Sequence, residues 1–190
     1  MTTETITITV SADLLRAALI CASTEKVRYY LNGVYVDPLG YIVSTDGHRL
    51  FCGKIDVSDL PEFKGWIIPS DALKRALTGY KNETIDISPN RCGDMSCLSV
   101  DGTFPDWRRV IPTGDLSGEV AQFNPAYVAD MGKIGKLLGG KSSLEAHLHH
   151  NGQSPAGVTF PLYPSAFAVL MPIRSSHTAP DTAWKDAVAA

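Results

Sequence analysis

One pattern, a strand followed by a capped amphipathic helix and then further strands, is written three times along this chain and limits the fold more than any other feature. Residues 5–10 (Thr-Ile-Thr-Ile-Thr-Val) alternate polar and apolar side chains, as a half-buried strand does. Ser11 follows as an N-cap, and Leu14, Leu15, Ala18 and Leu19 then recur at helical spacing. The second copy opens at Trp66-Ile67-Ile68-Pro69, with Ser70 as cap and Ala72, Leu73, Ala76 and Leu77 as the stripe. Ser11, Leu14 and Arg16 align with Ser70, Leu73 and Arg75 at a constant offset of 59. The third opens at Val120-Ala121-Gln122-Phe123, with Asn124 as cap and Pro125 in the first helical position. Its stripe is Tyr127, Val128, Met131, Ile134 and Leu138, and Gly139-Gly140 stops the helix.

Each helix is followed by strand-like segments: 29–37, 40–46 and 48–55 after the first, 83–88 and 95–100 after the second, and 143–149, 156–160 and 166–173 after the third. The unit therefore reads β-α-β-β-β. One helix per several antiparallel strands predicts an α+β fold with the helices gathered on one face of the sheets. A single unit exposes its helix face and its sheet edges, so neighbouring units must cover them.

Composition sets the class. Of 190 residues, 44% are hydrophobic and 19% charged, which is ordinary for a globular protein. No apolar run approaches the roughly 18–20 residues that cross a bilayer, and the start Met1-Thr2-Thr3-Glu4-Thr5 lacks the basic and apolar regions of a signal peptide. A cytoplasmic location with no membrane partner is the expectation. The four cysteines (Cys21, Cys52, Cys92, Cys97) are too scattered for a disulfide framework, and none are spaced as Cys-x-x-Cys.

A formal charge of −3 argues at first against nucleic acid. Placement changes that. The helical segments 11–28, 70–81 and 125–141 carry +1, +2 and +2, so +5 sits there and −8 elsewhere. A basic helix layer on an otherwise acidic protein binds phosphates without reading sequence. Lys and Arg also populate solvated helix faces generally, so the distribution alone is not decisive.

Three stretches carry a family resemblance. The first is Val27-Arg28-Tyr29-Tyr30-Leu31-Asn32-Gly33-Val34 with Ser44-Thr45-Asp46-Gly47-His48-Arg49-Leu50. The second runs from Asp101 through Phe104-Pro105-Asp106-Trp107-Arg108-Arg109-Val110-Ile111 to Pro112. The third is Phe167-Ala168-Val169-Leu170-Met171-Pro172-Ile173-Arg174. Together and in this order they resemble the bacterial β sliding clamp, the β subunit of DNA polymerase III. The first two resemble its middle domain and the third the end of its last domain. Taken singly, Asp46-Gly47 is a hairpin turn signal and Val169-Leu170-Met171 a buried strand.

The resemblance implies the DNA-clamp (processivity-factor) fold, a non-enzymatic ring around duplex DNA, with helices lining the channel and a peptide pocket for polymerases, clamp loaders and repair proteins. Carried onto matching positions, the pocket comprises Leu31, Thr45, Gly47, His48, Arg49, Leu50, Pro112, Val169, Leu170, Met171, Pro172, Ile173 and Arg174. The apolar members would form walls, Met171 adaptable to varied peptides, with Arg174, Arg49 and His48 as a polar rim. Candidate DNA contacts are Arg16, Lys74, Arg75, Lys133 and Lys136 on the helices, and Arg28, Tyr29 and Tyr30 in a loop suited to phosphate contact and stacking.

The family has six units per chain and twelve per dimeric ring; here there are three. Residues 1–112 read as one domain of two units, 113–174 as a third unit resembling the second half of the last domain, and 175–190 as a tail. Only a short linker stands between Pro112 and Glu119, where the family has a half-domain. A homo-oligomer is expected, and four chains of three units would close a ring. The other reading is a clamp-like module, a decoy or regulator, that captures peptides without encircling DNA. An enzyme is not expected: Gly-rich phosphate loops, His-Glu-x-x-His and nucleophile signatures are missing. His147-Leu148-His149-His150 is the best metal candidate but lacks a carboxylate or thiolate partner, so neither metal nor cofactor is expected. In the tail, Thr182 would cap a short helix and Trp184 could anchor it, although disorder is the default for a chain end.

Overall fold

The structure is a computed structural model in which residues 6–139 and 146–174 are described. The tail, with Thr182 and Trp184, lies outside the described residues, as do Lys141 and the start of the segment 143–149. In chain order the elements are β1 (Ile8–Ser11), α1 (Ala12–Cys21), β2 (Gly33–Asp37), β3 (Tyr41–Thr45), β4 (Arg49–Lys54), β5 (Trp66–Pro69), α2 (Ser70–Leu77), β6 (Thr84–Ser88), β7 (Arg91–Cys92), β8 (Met95–Ser96), α3 (Pro125–Gly139), β9 (His147–His149), β10 (Ala156–Thr159) and β11 (Ala166–Leu170). Single 3-10 turns cover Tyr29–Leu31 and Trp107–Val110.

The first two units are built by exchange. β1, which leads into α1, pairs with β6 of the second unit, with Ser11 opposite Thr84 and Ile8 opposite Ile87. β5, which leads into α2, pairs with β2 of the first unit, with Pro69 opposite Gly33 and Trp66 opposite Val36. Each unit thus covers an edge that the other would leave open. All strand pairs are antiparallel. They form a four-stranded sheet, β1-β6-β7-β8, and a seven-stranded sheet, β5-β2-β3-β4-β11-β10-β9. The larger sheet crosses the linker through β4 and β11, so the third unit continues the first unit's sheet.

Local chemistry sets the helix ends. The Ser11 hydroxyl accepts the Leu14 amide at 3.3 Å, as an N-cap does. α1 stops at Cys21, well short of the expected span to residue 28. Ala22 is extended (ψ 141°), and the Ser23 amide turns to the Leu31 carbonyl at 3.0 Å. Ser70 is the first helical residue rather than the cap, because its amide donates to the Asn32 carbonyl and extends the β2–β5 ladder by one step. Asn124 does cap α3, its side-chain oxygen accepting the Ala126 amide at 3.0 Å.

Two strands depart from expectation. β7 lies where the sequence suggested a loop, because a Pro89-Asn90 turn folds the chain back immediately after β6. Residues 120–123, expected to be the first strand of the third unit, form none. β1 and β5 each find a partner in the other unit, but the third unit is alone with its kind.

Alternation along the strands divides the core. Phe51 of β4, with Ala166, Ala168 and Leu170 of β11, packs into the main core beneath the helices. Leu50, Cys52 and Val169 point to the opposite face and join Leu31, Val43, Ile67, Phe104 and Trp107 in a second cluster. Gly53 lets α1 lie against the sheet, since a Cβ there would overlap the Leu14 side chain. Fully burying a side chain such as Leu14 contributes about 2 kcal/mol. Among the described residues, no helix is long and apolar enough to cross a membrane.

Candidate functional site

The second cluster does not close over completely. It leaves a cavity of about 220 Å³ on the sheet face away from the helices. Tyr30 and Leu31 enter from the 3-10 turn, Thr45, Gly47, Arg49 and Leu50 from the β3–β4 hairpin, and Val169 and Met171 from the end of β11. Residues from the 105–110 loop complete it: Pro105, Asp106, Trp107 and Val110. Both ends of the chain's described part are therefore needed to make one apolar hollow, the form small-ligand and peptide sites take.

Each wall is held from behind. The hairpin turn is fixed by Thr45 Oγ1, which donates to the Arg49 carbonyl at 2.7 Å and accepts the Gly47 amide at 3.0 Å. Gly47 adopts φ +92°, a backbone conformation that favours glycine, and a Cβ there would also press on the Arg28 guanidinium at 2.6 Å. Met171 donates its amide to the His48 carbonyl at 2.9 Å, pinning the β11 wall to the hairpin. The third wall is tethered by Asp37, which is buried at 2% exposure. Its carboxylate accepts Trp107 Nε1 at 2.9 Å, two Arg108 bonds at 2.9 and 3.1 Å, and the Leu39 amide at 2.8 Å. Burial pushes the Asp37 carboxyl up, but the bonds from Arg108, Trp107 and Leu39 outweigh it and hold it below the ordinary range.

A depressed native value means that this stabilisation is present above the unfolded-state pKa of about 4 and is lost as pH falls through the folded value. Asp37→Ala should therefore destabilise by about 2 kcal/mol at neutral pH, since it leaves the Trp107 donor buried and unpaired. The difference from the parent should shrink below pH 4. Thermal melts of both proteins across pH 3–7 check this; equal melting at pH 7 would refute the tether.

The third unit is docked by an ion network. Arg49 bonds Asp46 at 2.9 Å and Asp130 of α3, and its guanidinium lies 4.5 Å from the Tyr127 ring centre. Lys133 holds the other Asp130 oxygen at 2.6 Å. Burial pushes the Asp130 carboxyl up, but its bonds from Lys133 and Arg49 prevail and hold it low.

Of the pocket residues expected from sequence, Leu31, Thr45, Gly47, Arg49, Leu50, Val169 and Met171 line the cavity. Leu170 does not: strand alternation turns it into the main core at 1% exposure. His48 lies outside the lining as well, its ring 6.2 Å from Tyr127 on the helix side. Pro112, Pro172, Ile173 and Arg174 are also absent from the lining, and Ile173 is 43% exposed with its amide on the Gln122 carbonyl. Arg49 is less a rim than a half-buried strut. Arg28 and Tyr30, expected at DNA, line the cavity, and Arg28 is held by Glu25 and the Asp46 carbonyl. Pro105, Asp106, Trp107 and Val110, which belong to the second motif and carry no expected site role, also line the cavity; the aromatic Trp107 among apolar neighbours is the sequence signal for one.

The helix layer is less basic than the segment count suggested. Within α1, α2 and α3, five cations (Arg16, Lys74, Arg75, Lys133, Lys136) face three carboxylates (Asp13, Asp71, Asp130), a net of +2 rather than +5. The rest of the +5 comes from Glu25, Lys26, Arg28 and Lys81, in loops beyond Cys21 and Leu77, and from Lys141, which lies outside the described residues. Arg16 is engaged by Asp13 and the Tyr80 carbonyl, both at 2.7 Å. Lys74, Arg75 and Lys136 are exposed, Tyr29 also, and Lys133 is exposed beside Asp130. Among the described residues, no cluster of three or more His, Cys, Asp or Glu is placed to hold a metal. His149 Nε2 instead lies 2.8 Å from Thr159 Oγ1, and His150 Nδ1 accepts the Ala121 amide. Burial pushes the Cys21 thiol up to about 12, so it is an unreactive core residue.

No family model matches the chain. It is 34% identical over 108 residues to the beta sliding clamp of Caulobacter vibrioides, covering 47% of this chain and 29% of that protein. To the beta sliding clamp of Escherichia coli K12 it is 35% identical over 112 residues, covering 52% and 31%. The chain thus spans about a third of the length of these curated relatives. Among solved structures, the C. crescentus beta sliding clamp with PEG bound aligns with a TM-score of 0.69 at 23% identity, covering 92% of this chain and 67% of that one. A sliding clamp from Bartonella birtlesii bound to griselimycin gives 0.68 at 24% identity, covering 92% and 68%. The fold is that of the bacterial DNA sliding clamps, and the sequence resemblance to beta sliding clamps extends over about half the chain.

Proposed function

We propose that this chain is a DNA sliding clamp subunit: its outer-face cavity captures short linear peptides of polymerases, clamp loader and repair proteins, and its helix layer faces duplex DNA. The observation that carries this reading is the cavity itself, an apolar hollow whose walls come from Leu31 and Leu50 on one side and Val169 and Met171 on the other. Residues 6–112 act as one two-unit domain and 113–174 as a third unit docked on it. Nothing in the lining is arranged for bond-breaking chemistry; its groups fit binding. Met171 is an adaptable wall for varied apolar side chains, and Arg28 and Asp106 supply charge at the margin.

The DNA half of the proposal rests on non-specific phosphate contact. Arg75→Ala and Lys136→Ala should each reduce the salt slope of duplex binding by about 1. Encirclement has its own signature. The assembled protein is expected to stay on circular DNA through a salt wash and to run off the same DNA once it is linearised. Equal retention on both forms would overturn the ring, leaving only a peptide-binding module.

A further inference from the structure

Ser70 does not cap α2, and no other contact within the fold uses its hydroxyl. The residue is 6% exposed, its amide donates to the Asn32 carbonyl at 3.0 Å, and its Oγ has no hydrogen-bond partner. Asn32, laced to it by that bond, is in the same condition. Its Nδ2 donates to the Glu25 carbonyl at 2.7 Å, which fixes the orientation of the amide, and its Oδ1 is buried without a partner. Among the described residues three buried side-chain polar atoms are unpaired, these two and Trp66 Nε1. Folds avoid such atoms, because each costs the desolvation of a polar group with nothing in return. Two of the three residues stand on the wall of one cavity.

That cavity, of about 460 Å³, lies where α2 begins, and none of its lining belongs to the peptide hollow. Pro69, Val100 and the ring of Tyr29, 53% exposed, give it apolar surface. Its two charged residues, Asp71 and Lys74, are exposed and opposite in sign. Balanced charge does not suit a bare anion; it suits a flat neutral ring with a polar edge. The wall offers an acceptor, Asn32 Oδ1, and a hydroxyl that can donate, Ser70 Oγ. A nucleobase carries the complement on its Watson–Crick edge, as thymine does with N3–H beside O4. In a duplex that edge is occupied by the opposite strand, so only an unpaired base can present it.

A second hollow, of about 420 Å³, shares Ser23, Thr24, Ser70 and Lys74 with the first. It continues past Leu19 and Ile20 of α1 to Tyr127 of α3. The two form a trough across the helix layer, with a tyrosine towards each end and Lys74 common to both halves. Aromatic platforms joined by a cation are the form of a path for a strand rather than a pocket for a free nucleotide.

We propose that this trough seats an unpaired nucleotide of a DNA strand, with its base edge on Asn32 and Ser70, its face on Tyr29 and its phosphate at Lys74. A turn of Ser70 between staggered rotamers brings the hydroxyl to the base. Binding then pairs both oxygens that the free fold leaves orphaned. The proposal rests on the reading that the helix layer meets DNA, and adds to its duplex phosphate contacts a site that takes up a base.

The test is fluorescence anisotropy of the full chain with a short labelled oligothymidylate at fixed ionic strength. Its competitors are an abasic strand with the same number of phosphates, a strand of N3-methylthymidine, thymidine monophosphate and a blunt duplex. The unmodified strand is expected to bind about 10-fold tighter than either altered strand, since one loses stacking and the other the donor to Asn32. Ser70→Ala should weaken the unmodified strand about 5-fold and leave the blunt duplex unchanged. It should also melt no lower than the parent, because the hydroxyl it removes is unpaired. Equal affinity for the unmodified and abasic strands overturns the proposal, leaving phosphate contact alone. So does a Ser70→Ala protein that melts lower and binds the strand normally, since the hydroxyl then serves the fold through water. Thymidine monophosphate binding as tightly as the strand overturns the strand path. A parent that ignores the blunt duplex yet keeps these differences supports the base site and strikes only the duplex reading, so the two failures are distinct.

Discussion

Met171→Asp is expected to abolish peptide capture by the outer-face cavity, weakening it by at least about 100-fold, the scale of losing a central anchor contact. Met171 closes one side of a hollow whose other walls are Leu31, Leu50, Val110 and Val169. A carboxylate there would be desolvated by any apolar ligand, with Arg28 already committed to Glu25. The fold should survive the change. Met171 is only half-buried, and its link to the hairpin runs through its backbone amide, which the substitution keeps. Met171→Leu, similar in volume, should bind within a few-fold of the parent. Titration calorimetry on both variants, with circular dichroism to verify folding, decides it; unimpaired binding by a folded Met171→Asp protein would show that the ligand lies elsewhere.

The largest effect on stability is expected at Arg49. Arg49→Ala leaves Asp46 and Asp130 without their shared cation and removes the guanidinium from Tyr127, the main polar link between the β3–β4 hairpin and α3. Breaking a fully buried pair costs about 3–5 kcal/mol; with side chains still 12% and 17% exposed, about 2–3 is expected here. In a chain of this size that lowers the melting temperature by roughly 4–12 °C. Asp130→Ala should cost less, because Arg49 keeps Asp46. The double variant should be milder than the two losses added, as groups in one network are not additive. The pH dependence has a definite sign. Asp130 is held low in the folded state, so the contribution is present above about pH 4 and lost as pH falls through the lower folded value. The same substitution should weaken peptide capture, since it frees the wall that carries Val169 and Met171.

Periodicity and caps made most of the scaffold legible. Helical spacing located all three helices, Ser11 and Asn124 marked two of their starts, and alternation located most of the strands. What could not be read depends on partners. The expected helical segment runs to residue 28, yet α1 ends at Cys21, where the Ser23 amide turns to the Leu31 carbonyl, a partner distant in the sequence pattern. Residues 120–123 have the pattern of a strand, but a strand needs an edge, and no edge is written in the pattern itself. At the site, the residues lining the hairpin were legible because a turn and its flanks keep their relations locally. Leu170 was misplaced because residues adjacent on a strand face opposite ways, so a continuous motif cannot line one cavity continuously. Trp107 was overlooked as a wall because its position depends on Asp37, 70 residues away along the chain.

Backbone NMR of the full chain titrated with griselimycin, to which the Bartonella birtlesii clamp is bound, decides whether this cavity captures peptides. Saturable shifts are expected at Leu31, Thr45, Leu50, Trp107, Val169 and Met171, while Lys74, Lys136 and the rest of the helix layer stay unchanged. Shifts confined to the helix layer, or none at all at saturating concentration, would contradict it.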